Sequence, residues 1–227
     1  MRRRTGPPGR RWSRPWPGSI PAEPGRRLGI LYYIHDPMCS WCWAFRPAWE
    51  RIVHGLPPGI EPRLLLGGLA PDCDQPMPEA LRRKLRGVWR TIQRQVPGTP
   101  FNFAFWERCT PRRSTYPACR AVIAARRQSP RSEEAMILAI QRAYYLQARN
   151  PSDAQTLCDL AAALGLDPAR FASDLASPGV DAALRGEIEQ GARLGVRTFP
   201  SLVLVDGART RHLPHDYLDP DLVLARL

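Results

Sequence analysis

Two apolar, β-prone runs open the chain, two more close it, and a long stretch with helical period lies between. Residues 28–35 are apolar almost throughout, as expected of a central strand covered on both faces. A helix from about 39 to 54 is predicted next, with Pro47 inside it removing a backbone donor and kinking it. Pro57-Pro58-Gly59 breaks the chain, and Pro62-Arg-Leu-Leu-Leu66 reads as a second strand ending at Gly67-Gly68. Strand, helix and strand with a short return make a right-handed crossover with a parallel pair.

The middle is helical. From Pro78 to Val96, Leu81, Leu85, Val88, Trp89, Ile92 and Val96 fall on one stripe, and Pro97-Gly98 ends it. Phe101–Trp106 reads as a loop or short turn packed on something, in a core or at an interface. A helix over Tyr116–Gln128 carries Pro117 in its first turn. Another, over Ser132–Gln147, carries Met136, Ile137, Ile140, Tyr144 and Leu146. Ser152-x-x-Gln155 has the form of a capping box ahead of Leu157, Leu160 and Leu164. Asp167-Pro168 starts a short helix through Leu175, and a further helix spans about 179–194. The β pattern returns at 201–205, turns at Asp206-Gly207 and resumes at 209–213, with a last short helix over Asp219–Leu227. Neither pair of strands is stable alone, so the early and late pairs must share one sheet. The expected fold class is α/β, with 28–70 and 179–227 forming one domain and 71–178 an all-helical insertion.

Composition changes this picture at one end. The net charge of +12 looks like a nucleic-acid footprint, but residues 1–27 hold eight Arg against Glu23 alone, leaving 25 basic and 20 acidic residues elsewhere. Only Lys84 among the 33 basic residues is lysine, a codon-bias signature more than a functional one. The Pro- and Gly-rich tail has no structural period and is expected to be disordered. It reads as an upstream start extension, an arm for polyanions or a neutral tail. It lacks the apolar core of a secretory signal. No stretch approaches the roughly 18 apolar residues of a membrane span. Nucleic acid and membrane are therefore not expected partners, and the expected location is cytoplasmic. Six cysteines without an export signal point to a reducing compartment rather than a disulfide framework. Cys119 and Cys158 fall among apolar helical residues as buried small hydrophobes, whereas Cys73 and Cys109 fall in loops.

The candidate chemistry is Cys39-Ser40-Trp41-Cys42, at a strand-to-helix junction. Helix-start N–H groups favour a thiolate at Cys39, and Cys42, one turn on and more buried, is placed to resolve a mixed disulfide. Ser40 and Trp41 lie between them and are expected to tune the pair. His35 either stabilises the thiolate as a cation, relays a proton to Cys42, or is simply a strand-end histidine bonded to backbone. Asp36 reads as a cap for the turn before Pro37 rather than as a proton acceptor. Pro200 is the second element: in a cis peptide it would turn the Phe199 backbone toward the thiols, and in trans it is a strand-opening proline.

The CxxC after a strand, Pro47, the helical insertion and Gly195-Val-Arg-Thr-Phe-Pro-Ser-Leu-Val-Leu204 together resemble the thioredoxin-like superfamily. The insertion resembles its DsbA-type branch. His35-Asp-Pro-Met-Cys-Ser-Trp-Cys-Trp-Ala-Phe45, Leu66-Gly-Gly-Leu-Ala-Pro71 and Ser114-Thr-Tyr-Pro-Ala-Cys-Arg120 resemble the cytosolic disulfide-isomerase-like group within it. The resemblance implies a thiol–disulfide oxidoreductase or isomerase acting on protein or small thiol and disulfide substrates. Cys39 would attack, Cys42 resolve, and Pro200 be the cis-proline with Thr198 and Phe199 beside it. Beyond the redox-active cysteine pair no cofactor or metal is expected, with room left for glutathione. Two features depart from exported DsbA proteins: the missing signal peptide, and Tyr33 where they carry an acid six residues before the first cysteine. Glutathione-dependent transferases and aromatic-compound isomerases share the architecture but usually carry Ser at the first cysteine position. A zinc- or partner-binding module would need two further ligands for Cys39 and Cys42.

Overall fold

The computed structural model describes residues 29–227. The basic tail, and Leu28 of the first predicted strand, lie outside the described residues. In chain order the elements are β1 (Gly29–His35), α1 (Ser40–His54), β2 (Ile60–Leu66), α2 (Glu79–Gln95), α3 (Phe105–Arg108), α4 (Tyr116–Gln128), α5 (Ser132–Tyr145), α6 (Ala154–Ala163), α7 (Pro168–Leu175), α8 (Pro178–Arg193), β3 (Ser201–Asp206), β4 (Arg209–Leu213) and α9 (Asp221–Leu224).

The strands form one sheet in the order β2-β1-β3-β4, with β1 parallel to β2 and antiparallel to β3. This is the thioredoxin-like architecture. Strand β1 is central, which explains its nearly unbroken apolar sequence. Strand β2 is an edge, where Pro62 can face away from the ladder without losing a bond. Side chains alternate across the sheet as the pleat requires. Leu31, Tyr33, Leu202 and Leu204 pack with Phe45, Trp49 and Ile52 of α1. Tyr32, Ile34, Leu65 and Val203 pack on the opposite face with Leu194 and Val196. Pairing of Ile34 with Ser201 sets Pro200 just past the end of β1, beside the loop that leads into α1. Two segments 160 residues apart in sequence thereby become neighbours.

Helices α2 to α7 are inserted between β2 and α8. Their centre is α4, whose Ala118, Ala121, Ala124 and Ala125 are fully buried and let α5, α7 and α8 pack closely around it. The Phe101–Trp106 segment is core: Trp89 stacks on Phe101 at 4.8 Å and meets Trp106 at 4.9 Å, and both tryptophans are buried.

Three local expectations need correction. Ser152 and Gln155 make no capping box. The Ser152 hydroxyl donates to the Ser114 carbonyl at 2.7 Å, and the Gln155 amide reaches forward to Asp159. Asp153 occupies the cap position of α6, with its carboxylate on Arg112. The hairpin turn is displaced by one residue, because Asp206 still pairs with Arg209 and Gly207-Ala208 make the two-residue turn. Gly207 supplies the positive φ that the first turn position needs. Cys158 is only half-buried, unlike Cys119.

Candidate active site

Cys39 is the N-cap residue of α1, in extended conformation (φ −79°, ψ 118°). Its own N–H is taken by the Asp36 carbonyl at 3.0 Å, and its carbonyl accepts from Trp43 at 3.0 Å, which fixes the sulfur at the helix entrance. The Cys39 thiol is held below its ordinary value. The Cys42 thiol donates to it, the N–H groups of Cys42 and Trp41 add to this, and burial and the Asp36 charge oppose. Cys42, fully buried one turn further on, is pushed well up by burial and by the neighbouring Cys39. Both are free thiols in this structure.

The loop before β3 forms the opposite wall. The Phe199–Pro200 peptide is cis, and the Phe199 carbonyl lies 3.6 Å from Cys39 Sγ, accepting from the thiol. Thr198 is exposed at the rim, and its carbonyl accepts from the Ser201 hydroxyl at 2.7 Å. The Phe199 ring packs against Gly67, where an added Cβ would stand 2.1 Å from its Cε1, so the first Gly of the Gly67-Gly68 pair makes room for this wall. Gly68 supplies a positive φ (60°) under Ile188 and Tyr116.

Ser40 and Trp41 point to different surroundings. The Ser40 hydroxyl accepts from Trp89 Nε1 at 2.9 Å, tying the start of α1 to helix α2 of the insertion. Trp41 is half-buried, with its ring against Tyr217 at 5.2 Å. His35 is buried with its ring stacked on Tyr33 at 5.0 Å, and burial pushes it down to about 3. Burial therefore disfavours the charged form that the option of a cation beside the Cys39 thiolate would need. Its Nε2 is buried without a hydrogen-bond partner.

Asp36 caps its turn as expected, with one oxygen accepting from the Met38 N–H at 2.7 Å. Its second oxygen does what sequence reasoning missed. It accepts from the Leu69 N–H at 2.7 Å and the Thr115 hydroxyl at 2.6 Å, with Cys119 Sγ at 3.6 Å. Thr115 in turn accepts from the Ala70 N–H at 3.0 Å. The residue three places before Cys39 thus fastens the Gly67–Ala70 loop and the insertion to the thiol turn. Burial raises the Asp36 carboxyl, and these donors oppose that shift. The quoted motifs around Gly67 and Thr115 were the available signal; their meeting point on Asp36 was not.

The profile of the thioredoxin family matches residues 32–213. The chain belongs to the thioredoxin family. Within it, the fold is that of the DsbA-like thiol–disulfide oxidoreductases. A candidate protein disulfide isomerase from Nitrosomonas europaea is 28% identical, with a TM-score of 0.75 over 87% of this chain and 94% of that one. The cytosolic disulfide reductase DsbM from Pseudomonas aeruginosa is also 28% identical, with a TM-score of 0.68 over 82% of this chain and 89% of its own. A curated relative, the ClpXP adapter protein SpxH of Halalkalibacterium halodurans, is 27% identical over 177 residues. That match covers 76% of this thioredoxin-family chain but only 57% of the relative's length.

Proposed function

We propose that the chain reduces disulfide substrates in the cytoplasm by thiol–disulfide exchange through Cys39 and Cys42, with glutathione as thiol partner. The observation that supports this reading is the 3.6 Å approach of the Phe199 carbonyl, in the cis-Pro200 loop, to Cys39 Sγ. The Cys39 thiolate attacks a substrate disulfide, expelling one sulfur as thiolate and leaving a mixed disulfide. Cys42 then attacks Cys39, releasing the second sulfur and closing the Cys39–Cys42 disulfide. The reductive direction and the thiol partner draw support from DsbM, named a cytosolic disulfide reductase and solved with GSH.

Two measurements test this. Cys42→Ala should trap a mixed disulfide on Cys39 detectable by mass, and recovery of unmodified protein after substrate exposure would overturn the exchange mechanism. Equilibration of the wild-type couple against glutathione should give a midpoint of about −270 to −220 mV, whereas a value near about −120 mV would reverse the direction. A partner-binding role is the second reading, favoured by the SpxH relatives, which are named as ClpXP adapter proteins. It predicts partner capture that survives replacement of both cysteines by Ser.

A further inference from the structure

Before Cys42 can attack the mixed disulfide it must lose its proton, and burial makes that loss difficult. The Phe199 carbonyl lies on the Cys39 side. On its other side Cys42 borders a cavity of about 20 Å³, lined also by Tyr33 and His35 of β1, Arg46 of α1, and Glu134 and Gln141 of α5. That volume accommodates about one water, and a site of this size is wet only where polar groups converge on it. Here they do. His35 Nε2, Glu134 Oε2 and Gln141 Oε1 are buried without a hydrogen-bond partner in the protein, and each belongs to a residue lining this cavity. Leaving three such atoms unpaired is costly, and a water in the cavity they share with Cys42 is the partner of the right size to answer them.

The groups facing the cavity differ in what they can do with a proton. Tyr33 is pushed well up by burial, and His35 is held neutral with its value near 3. Arg46 is a cation paired with Glu50 at 2.9 Å. Glu134 is raised to about 8, chiefly by burial, with Arg46 opposing and Glu133 and Glu50 adding to the rise. Among these groups Glu134 is the one whose value, raised to about 8, lies near neutrality.

We propose that Glu134 is the proton acceptor for Cys42, reached through one water that His35 and Gln141 hold in the cavity. This rests on Cys39 attacking and Cys42 resolving. The Cys42 thiol passes its proton to the water, and the water passes one to Glu134 Oε2. The Cys42 thiolate attacks Cys39 Sγ, the Cys39–Cys42 bond forms, and the bond from Cys39 to the substrate sulfur breaks. The electron pair leaves with that sulfur, which takes a proton from solvent. The two cysteines are oxidised and the substrate disulfide is reduced. When the pair is reduced again, Glu134 returns the proton to Cys42. The acid absent from position 33 is thus supplied from the opposite side, by the helical insertion.

The test uses the full chain and oxidised glutathione, with rapid acid quench and mass analysis of the mixed disulfide on Cys39 between pH 5.5 and 9.5. In the wild type its decay should accelerate through an inflection near pH 8. Glu134→Gln should leave its formation unchanged, slow its decay about 100-fold at pH 8 and abolish the inflection, the low end of what a positioned proton acceptor contributes. Glu134→Asp, which keeps the carboxylate, should restore the inflection. Glu133→Gln, next on the helix but paired with Arg126 at 2.7 Å, should keep the fast decay and the inflection, the latter moved to lower pH because one charge that raises Glu134 is gone. Wild-type decay and inflection in Glu134→Gln would overturn the inference, as would an equal slowing in Glu133→Gln. If the wild type forms no mixed disulfide on Cys39, the exchange reading itself fails, a result distinct from either.

Discussion

Cys39 and Cys42 are three residues apart and live in different parts of the molecule. Cys39 sits at the mouth of α1, where helix-start N–H groups and the Cys42 thiol lower it, and it faces a wall built by the β3 end of the sheet. Cys42 sits one turn inward, raised by burial, and faces a pocket to which the insertion contributes Glu134 and Gln141. The end of the sheet therefore borders the sulfur proposed to meet substrate, and β1, α1 and the insertion together border the sulfur proposed to resolve it. A CxxC motif gives two thiols; the asymmetry between them comes from the helix entrance and Phe199 wall at Cys39 and from the burial of Cys42 beside a cavity shared by β1, α1 and α5. Changes that act on one side only should separate the two functions.

The largest effect is expected where both sides are joined. Asp36→Ala removes the acceptor shared by the Met38 N–H, the Leu69 N–H and the Thr115 hydroxyl, all in buried or part-buried positions. Leaving them without a partner should cost about 3 kcal/mol, seen as a lower denaturation midpoint with an unchanged slope. Asp36→Asn keeps one acceptor oxygen and should lose less. A loss under about 1 kcal/mol in the Ala variant would show that the insertion is held to the thiol turn by other contacts.

Gly67→Ala acts on the Cys39 side alone. Its new Cβ would stand 2.1 Å from Phe199 Cε1, so the ring must leave its seat. Phe199 is half-buried and can swing outward, which should keep the stability loss near 1 kcal/mol while displacing the wall opposite Cys39. Mixed-disulfide formation should slow about tenfold, with its resolution by Cys42 unchanged, since a small misplacement of a groove carries through to reactivity. Equal slowing of both steps would show that the two sides are not separable.

How much of this could be read from the chain depended on distance along it. Continuous apolar runs marked β1 and β3, and a 3.6-residue stripe marked α2, because each records the faces turned to the core. The pairing of the strand runs followed from the instability of isolated hairpins. Cys39, Cys42 and Pro200 stood out by residue type. The remainder was set by single long-range bonds that leave no local period. Ser152 looked like a cap, yet its hydroxyl goes to Ser114, 38 residues away. Trp89 sits on a helical stripe like any core residue, and nothing nearby announces its bond to Ser40. Glu134, in the first turn of α5, looks like an ordinary dipole-complementing acid until the fold turns it toward Cys42.

The smallest effect belongs to the Cys42 side and is read from stability alone. His35 is buried and titrates near 3 in the folded protein, against about 6.5 when exposed. Above pH 6.5 it is neutral in both states and neutral for stability. As pH falls from 6.5 toward 3 the unfolded chain takes up a proton that the folded protein refuses, so stability is lost across that window. The slope due to this residue should be about 1 kcal/mol per pH unit, on top of whatever the carboxylates contribute. His35→Phe keeps a ring against Tyr33 and removes the titration, so its stability curve should be flatter than the wild type's between pH 6.5 and 4 by that amount. Parallel curves would mean that His35 carries its proton inside the fold, which would place a positive charge beside Cys42 and erase the difference in environment that separates the two thiols.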